Sequence, residues 1–132
     1  MTNFIKYAKY FVAVIGAMLG KFLGGLDGVI YALAAFMLAD YATGVMLAVM
    51  QKKLSSSIGF KGICKKMLIL IFVGLANVLD VYILKNGSVL RTAVVFFYIS
   101  NEGISITENA VKLGLPVPEK IKTVLKQIGE KK

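Results

Sequence analysis

Residues 28–50 read GVIYALAAFMLADYATGVMLAVM, an unbroken apolar run whose only formally charged side chain is Asp40. At about 1.5 Å of rise per residue, a helix of this length crosses the roughly 30 Å hydrocarbon layer of a bilayer with room for tilt. Gln51, Lys52 and Lys53 close it. The whole chain has the same character: of 132 residues, 58% are hydrophobic and 17% charged, with a mean hydropathy of +0.75. A soluble domain this small has a large surface for its volume and must cover it with polar side chains. Lipid must therefore cover part of this one. The expected fold class is all-α: a small multi-pass membrane protein of three to four helices plus a short C-terminal amphipathic helix, oligomerising in the membrane.

Towards the N-terminus, Lys6, Lys9 and Lys21 interrupt an apolar stretch and leave only Tyr10–Gly20 as an uncharged core. That core is short for a span. A basic start and an apolar middle also fit a signal peptide, but no A-x-A-like cleavage site follows. A helix over 4–24 is expected, either spanning with its lysines reaching both interfaces or lying in the interface, and spanning is preferred.

Towards the C-terminus, residues 51–66 carry Lys52, Lys53, Lys61, Lys65 and Lys66 with three serines, two glycines and no acid. They read as a basic cytoplasmic loop or surface hairpin. A second span follows over 67–84, interrupted by Asp80 and ended by the turn signal Lys85-Asn86-Gly87. A third, amphipathic span covers 89–113. In it Asn101, Ser105, Glu108 and Lys112 are spaced by four, three and four residues and form one polar stripe, which is tolerable in a bilayer only if it faces protein or water. Gly114, Pro116 and Pro118 stop this helix. In the tail, 118–132, Ile121, Val124, Leu125 and Ile128 repeat at helical spacing with Lys120, Lys122 and Lys126 on the flanks. The tail reads as a basic amphipathic helix at an anionic membrane face.

The charge, 16 basic against 7 acidic side chains, falls in clusters between apolar runs, so it reports topology rather than nucleic-acid binding. With the first helix spanning, Lys6, Lys9, the five lysines of 52–66 and the six of 112–132 lie on one side, against Lys21, Lys85 and Arg91 on the other. With that helix at the outer interface, Lys6 and Lys9 change sides. Either way the 51–66 loop and the tail are cytoplasmic. Histidine is absent and Cys64 is the only cysteine, so one chain cannot assemble a zinc site, a Cys–His nucleophile pair or an internal disulfide. No phosphate-binding glycine loop occurs. No enzymatic activity, cofactor, metal or nucleic-acid partner is expected, and Cys64 reads as a small apolar filler.

The intramembrane acids need an explanation. Asp40 lies about 18 Å into its span, near mid-membrane, where a charge costs about 2.5–3.5 kcal/mol on insertion scales. Thr43 and Gly44 share its face, which Ala48 continues as a small-residue contact. Asp80 repeats the arrangement with Asn77 one turn earlier, and Glu102, Glu108 and Asn109 add polar groups to the third span. These groups either pair inside a bundle and fix its register, or present polar faces that let helices rearrange around water. A large opening built from so short a chain must be oligomeric. The pore-lining or helix-packing candidates are Asp40, Thr43, Gly44, Asn77, Asp80, Asn101, Glu102, Ser105, Glu108 and Asn109. The anionic-lipid candidates are Lys52, Lys53, Lys61, Lys65, Lys66, Lys120, Lys122 and Lys126.

Several runs carry a family resemblance: Asp40-Tyr-Ala-Thr-Gly44, Leu54-Ser-Ser56, Gly59-Phe-Lys-Gly-Ile63 with Lys65-Lys66, then Asp80 and Arg91, and above all residues 97–109, FYISNEGISITEN, followed by GLPVP at 114–118. Over residues 28–128 the chain resembles the toxin secretion/phage lysis holin family of clostridial and other Gram-positive phages. The resemblance implies a homo-oligomer in the bacterial host's cytoplasmic membrane that opens at a set time. A cytoplasmic endolysin then reaches the peptidoglycan, or, in some relatives, a large toxin leaves the cell. The implied partners are the chain itself, membrane lipids, an endolysin without direct binding, and an antiholin. The alternatives are an antiholin or regulatory subunit, and a small multidrug-type transporter. The absence of tryptophan and the spread of the acids over several helices speak against the transporter.

Overall fold

The computed structural model describes residues 1–130. Among them the chain is all helix and turn, without a strand: α1 Thr2–Leu23, α2 Gly28–Met50, α3 Ser56–Val78 continued by a π-helical turn over Leu79–Leu84, α4 Val89–Lys112 and α5 Glu119–Glu130. Three helical stretches are long and apolar enough to cross a membrane, Gly28–Met50, Ser56–Leu84 and Val89–Lys112. The preferred fourth span is not among them, because the lysines of α1 interrupt its apolar run. Residues 1–15 of α1 are exposed on every side. Only its last turns touch the bundle, through buried Gly20 and Leu23 and through Phe22, whose ring lies over Gly74 of α3.

Side-chain caps start the first two spans. Asp27 accepts from the Ile30 backbone N–H at 3.0 Å, and Ser55 accepts from that of Ile58 at 3.2 Å, each satisfying a donor that the first helical turn leaves free. The second cap corrects the expected 51–66 loop: helix begins at Ser56, and the loop shrinks to residues 51–55. Lysine is a good helix former, and the glycines that suggested a hairpin are packing sites. Tyr41 of α2 lies across Gly59 and Gly62, and its hydroxyl donates to the Gly59 carbonyl. The second span therefore starts eleven residues earlier than residue 67 and carries Lys61, Lys65 and Lys66 on its first turns.

Leu33 of α2, Val73 of α3 and Val95 of α4 are completely buried, with Ile30, Met37, Ile69 and Ile99 around them. Tyr31, Leu38, Met46, Phe72 and Phe97 point outwards. An apolar exterior around a thin core is the arrangement lipid requires.

α5 folds back along α4. Leu125 is buried against Gly103, the Ser100 hydroxyl donates to the Leu125 carbonyl at 2.5 Å, and Gly129 lies against Ser100. The expected amphipathic helix is present, but α4 covers Leu125 and half-buried Ile128 where lipid was expected, because small Ser100 and Gly103 leave a groove that fits them. Lys131 and Lys132 of the tail lie outside the described residues. At Gly103 an added Cβ would stand 2.5 Å from Leu125 and 3.0 Å from Phe36. Gly103→Leu is therefore expected to push α5 off, costing about 1–3 kcal/mol. Limited proteolysis checks this, with cleavage inside residues 119–130 becoming several-fold faster than in the wild type.

Candidate functional site: an ion cluster between three spans

Lys66 lies on the face of α3 that also carries buried Ile69 and Val73, which brings its ammonium between α2 and α4. There it donates to Asp40 Oδ2 of α2 and to both carboxylate oxygens of Glu102 of α4, at 2.6 and 2.7 Å. The Glu102 side chain is 4% exposed and that of Asp40 12%. Asn109 extends the cluster, its amide donating to Thr43 Oγ1 at 2.9 Å and to Asp40 Oδ1 at 3.4 Å, and Gly44 leaves space beside that amide. One ammonium thus holds two carboxylates across three span-length helices. In a medium of low dielectric such attraction is strong, and it offsets the desolvation that would make either carboxylate costly alone. Among the described residues no buried side-chain nitrogen or oxygen lacks a hydrogen-bond partner.

A cavity of about 240 Å³ opens from this cluster to the surface, and Lys65, Asn101, Ser105 and Glu108 line its mouth. Of the ten helix-packing or pore-lining candidates, Asp40, Thr43, Gly44, Glu102 and Asn109 meet in the cluster, while Asn101, Ser105 and Glu108 flank it. Lys66, expected at a lipid headgroup, is instead the cation of the cluster. The other lysines of that expectation, Lys52, Lys53, Lys61, Lys65, Lys120, Lys122 and Lys126, are exposed or half-buried, and Lys122 contacts Glu119 at 3.5 Å.

Asp80 and Asn77 belong elsewhere, at the opposite end of α3. Asp80 is 1% exposed and caps α4, accepting from the backbone N–H groups of Leu90 at 3.0 Å and Arg91 at 2.7 Å. The Arg91 guanidinium then grips the turn between α1 and α2, donating to the carbonyls of Leu23 at 2.5 Å and Gly25 at 3.2 Å and to the Asp27 carboxylate at 3.2 and 3.3 Å. Asn77 donates to the Phe22 carbonyl at 3.1 Å. Gly24, at φ 89°, lies so close that a Cβ would stand 2.6 Å from both Arg91 Nε and Asn77 Oδ1, so the turn needs glycine for both conformation and space.

Arg91 and the Ile30 backbone N–H hold the Asp27 carboxyl below its ordinary value of 3.8. A depressed folded-state value stabilises the fold above the unfolded one, and that contribution is lost as protonation proceeds in the folded state. The clamp is therefore expected to keep its full strength above about pH 4 and to weaken as pH falls below 3.8. Hydrogen exchange of the α1–α2 turn checks this: protection relative to the intrinsic rate at each pH should fall on acidification in the wild type, and that fall should be blunted in Asp27→Asn.

The model of the bacteriophage holin family matches residues 17–130, which takes in every helix of the cluster and clamp. The chain belongs to the bacteriophage holin family. A 14.9 kDa protein encoded in the nagH 3′ region of Clostridium perfringens is 44% identical over the whole of both chains. A Listeria monocytogenes protein is 42% identical over 89% of this chain and 83% of its own. A probable holin of Bacillus phage phi105 is 44% identical over 60% of this chain and 58% of its own. No solved structure matches. The holin match begins within α1, shortly before buried Gly20, and leaves out residues 1–15, which are exposed on every side.

Proposed function

We propose that this member of the holin family acts as a holin. It inserts in the host's cytoplasmic membrane with the 51–55 loop and the α4–α5 connection inside, assembles with further copies, and opens a lesion wide enough for a folded endolysin or toxin. The role is non-enzymatic. The observation that carries this reading is the Lys66–Asp40–Glu102 cluster. It makes one chain acceptable to lipid by pairing charges that lipid cannot solvate, and the same charges favour an aqueous surface once the helices part. The basic loop and tail support the orientation.

Induced expression beside a cytoplasmic endolysin tests the proposal. Membrane potential is expected to collapse abruptly after a delay, followed by lysis. Collapse without passage of a folded protein would assign a narrow channel, and delay of another holin's lysis would assign a regulatory subunit. Asp40→Leu and Glu102→Leu are each expected to shift the onset several-fold or abolish opening while the protein still accumulates in the membrane. Unchanged onset in both would remove the cluster from the opening step.

A further inference from the structure

Glu108 of α4 stands where two cavities meet. The cavity beside the ion cluster joins it to Asn101, Ser105 and Lys65 of α3. A second, of about 320 Å³, lies between α4 and α5 and joins it to Lys112, Lys122 and Lys126, with Ile104, Thr107 and Val111 also lining it. The result is one broad polar surface, with α4 as its floor, α3 along one side and α5 along the other. Asn101, Glu108, Lys65, Lys112 and Lys126 are exposed on it. Lys122 contacts Glu119, and the other three lysines and Glu108 are in no ion pair among the described residues. All of α4 that carries this surface belongs to a helix long and apolar enough to span.

The far side of the bundle at the same level is apolar. Lys66 contacts both Asp40 and Glu102, which sets these three residues level with one another. Gly44 lies beside the Asn109 amide, so Met46 of α2 is level with the Glu108 end of α4. Phe60 and Ile63, one to two turns before Lys66, are level with it too. Phe60, Ile63 and Met67 recur at helical spacing on the side of α3 away from Lys61 and Lys65. Met46, Val49 and Met50 of α2 are exposed together with Phe60 and Ile63. A half-bundle standing clear of the bilayer in water would not display so continuous an apolar side. One surrounded by lipid would not carry four lysines and a glutamate. Lipid on one side and water on the other, at one depth, satisfies both.

The geometry points to the α3–α4–α5 face as the wall of the aqueous opening through the inner half of the bilayer, with the Met46 and Ile63 side turned to lipid. α5 is part of that wall: Leu125 holds it on α4, and Lys122 and Lys126 project beside the polar stripe of that helix. Copies arranged with this face inward enclose water, and four lysines against one glutamate make the enclosure basic. This inference rests on the proposal that the chain assembles to open the membrane, and it specifies the surface that meets the water.

Fluorescence quenching in vesicles tests it. In a Cys64→Ser background, single cysteines replace Glu108 or Lys126 on the polar face and Met46 or Ile63 opposite. Each full chain carries an environment-sensitive fluorophore on its cysteine and is reconstituted in vesicles of phosphatidylethanolamine and phosphatidylglycerol that enclose a folded protein. Labels at Glu108→Cys and Lys126→Cys are expected to be quenched several-fold more by iodide than by phospholipid bearing a nitroxide on its acyl chain. Labels at Met46→Cys and Ile63→Cys are expected to show the reverse. Iodide quenching of all four would place this half of the bundle outside the bilayer and overturn the wall. Nitroxide quenching at Glu108→Cys or Lys126→Cys would place that position in lipid, and protection of either from both quenchers would place it in a protein contact; each overturns the wall likewise. Escape of the enclosed protein tests the functional reading separately. The two-sided pattern in vesicles that retain their protein would leave the face standing while the wide lesion fails, and escape without the pattern would do the opposite.

Discussion

Lys66→Met is expected to destabilise the bundle by about 3–5 kcal/mol, the usual cost of removing one partner from a buried ion pair. The ammonium is the sole cation touching Asp40 and Glu102 among the described residues, so its loss leaves two carboxylates facing one another between α2, α3 and α4. Thermal unfolding in mild detergent measures the effect as a lower midpoint, accompanied by reduced accumulation in membranes. The rescue is specific: adding Asp40→Asn and Glu102→Gln to Lys66→Met replaces the charges with groups that hydrogen-bond to one another, and most of the midpoint is expected to return. A Lys66→Met protein that melts with the wild type would show that the three charges are held by the helices rather than holding them.

Arg91→Met is expected to cost about 2–3 kcal/mol, the range for losing charge-assisted hydrogen bonds and stranding their acceptors. Leu23 and Gly25 would lose donors to their carbonyls, and half-exposed Asp27 would keep only its capping contact to Ile30. The loss is local. Exchange of backbone amides across residues 20–27 should rise steeply while those of the inner turns of α2 and α4 stay protected. Arg91→Lys should recover little, because a single ammonium cannot reach three acceptors in the forked arrangement of a guanidinium.

Much of the fold was legible because long apolar runs broken by acids have few explanations in a chain this small, and the spans over 28–50 and 89–113 follow from that. The error at 51–66 had a specific cause. Three serines, two glycines and five lysines suggested a loop, and a second span begun only at Met67 hides the most informative periodicity in the chain. Lys66, Ile69, Val73, Asn77 and Asp80 recur at intervals of three and four, the signature of one helix face. With α3 begun at Ser56, that face carries a lysine at one end and an aspartate at the other, which is how it serves both the ion cluster and the α4 cap.

Other features had no local signal. Asp80 was expected in the same environment as Asp40 because both interrupt apolar runs, but Asp80 lies one turn before the helix-to-helix connection and satisfies backbone N–H groups there. The docking of α5 depends on Ser100 and Gly103, whose small size is noticeable only once a second helix is placed over them. Arg91 grips carbonyls of Leu23 and Gly25, and backbone acceptors leave no trace in composition.

The ion cluster also dictates an order of events during synthesis. Asp40 leaves the ribosome first, Lys66 follows 26 residues later, and Glu102 follows another 36 after that. An early α2 therefore carries an uncompensated charge that α3 neutralises, and the arrival of α4 adds a second acid to the same lysine. Asn109, 69 residues from Asp40, completes the set almost at the end of α4. The charge of Asp40 is thus unpaired until α3 emerges, and fragments that stop short of Lys66 should be the natural prey of membrane quality-control proteases.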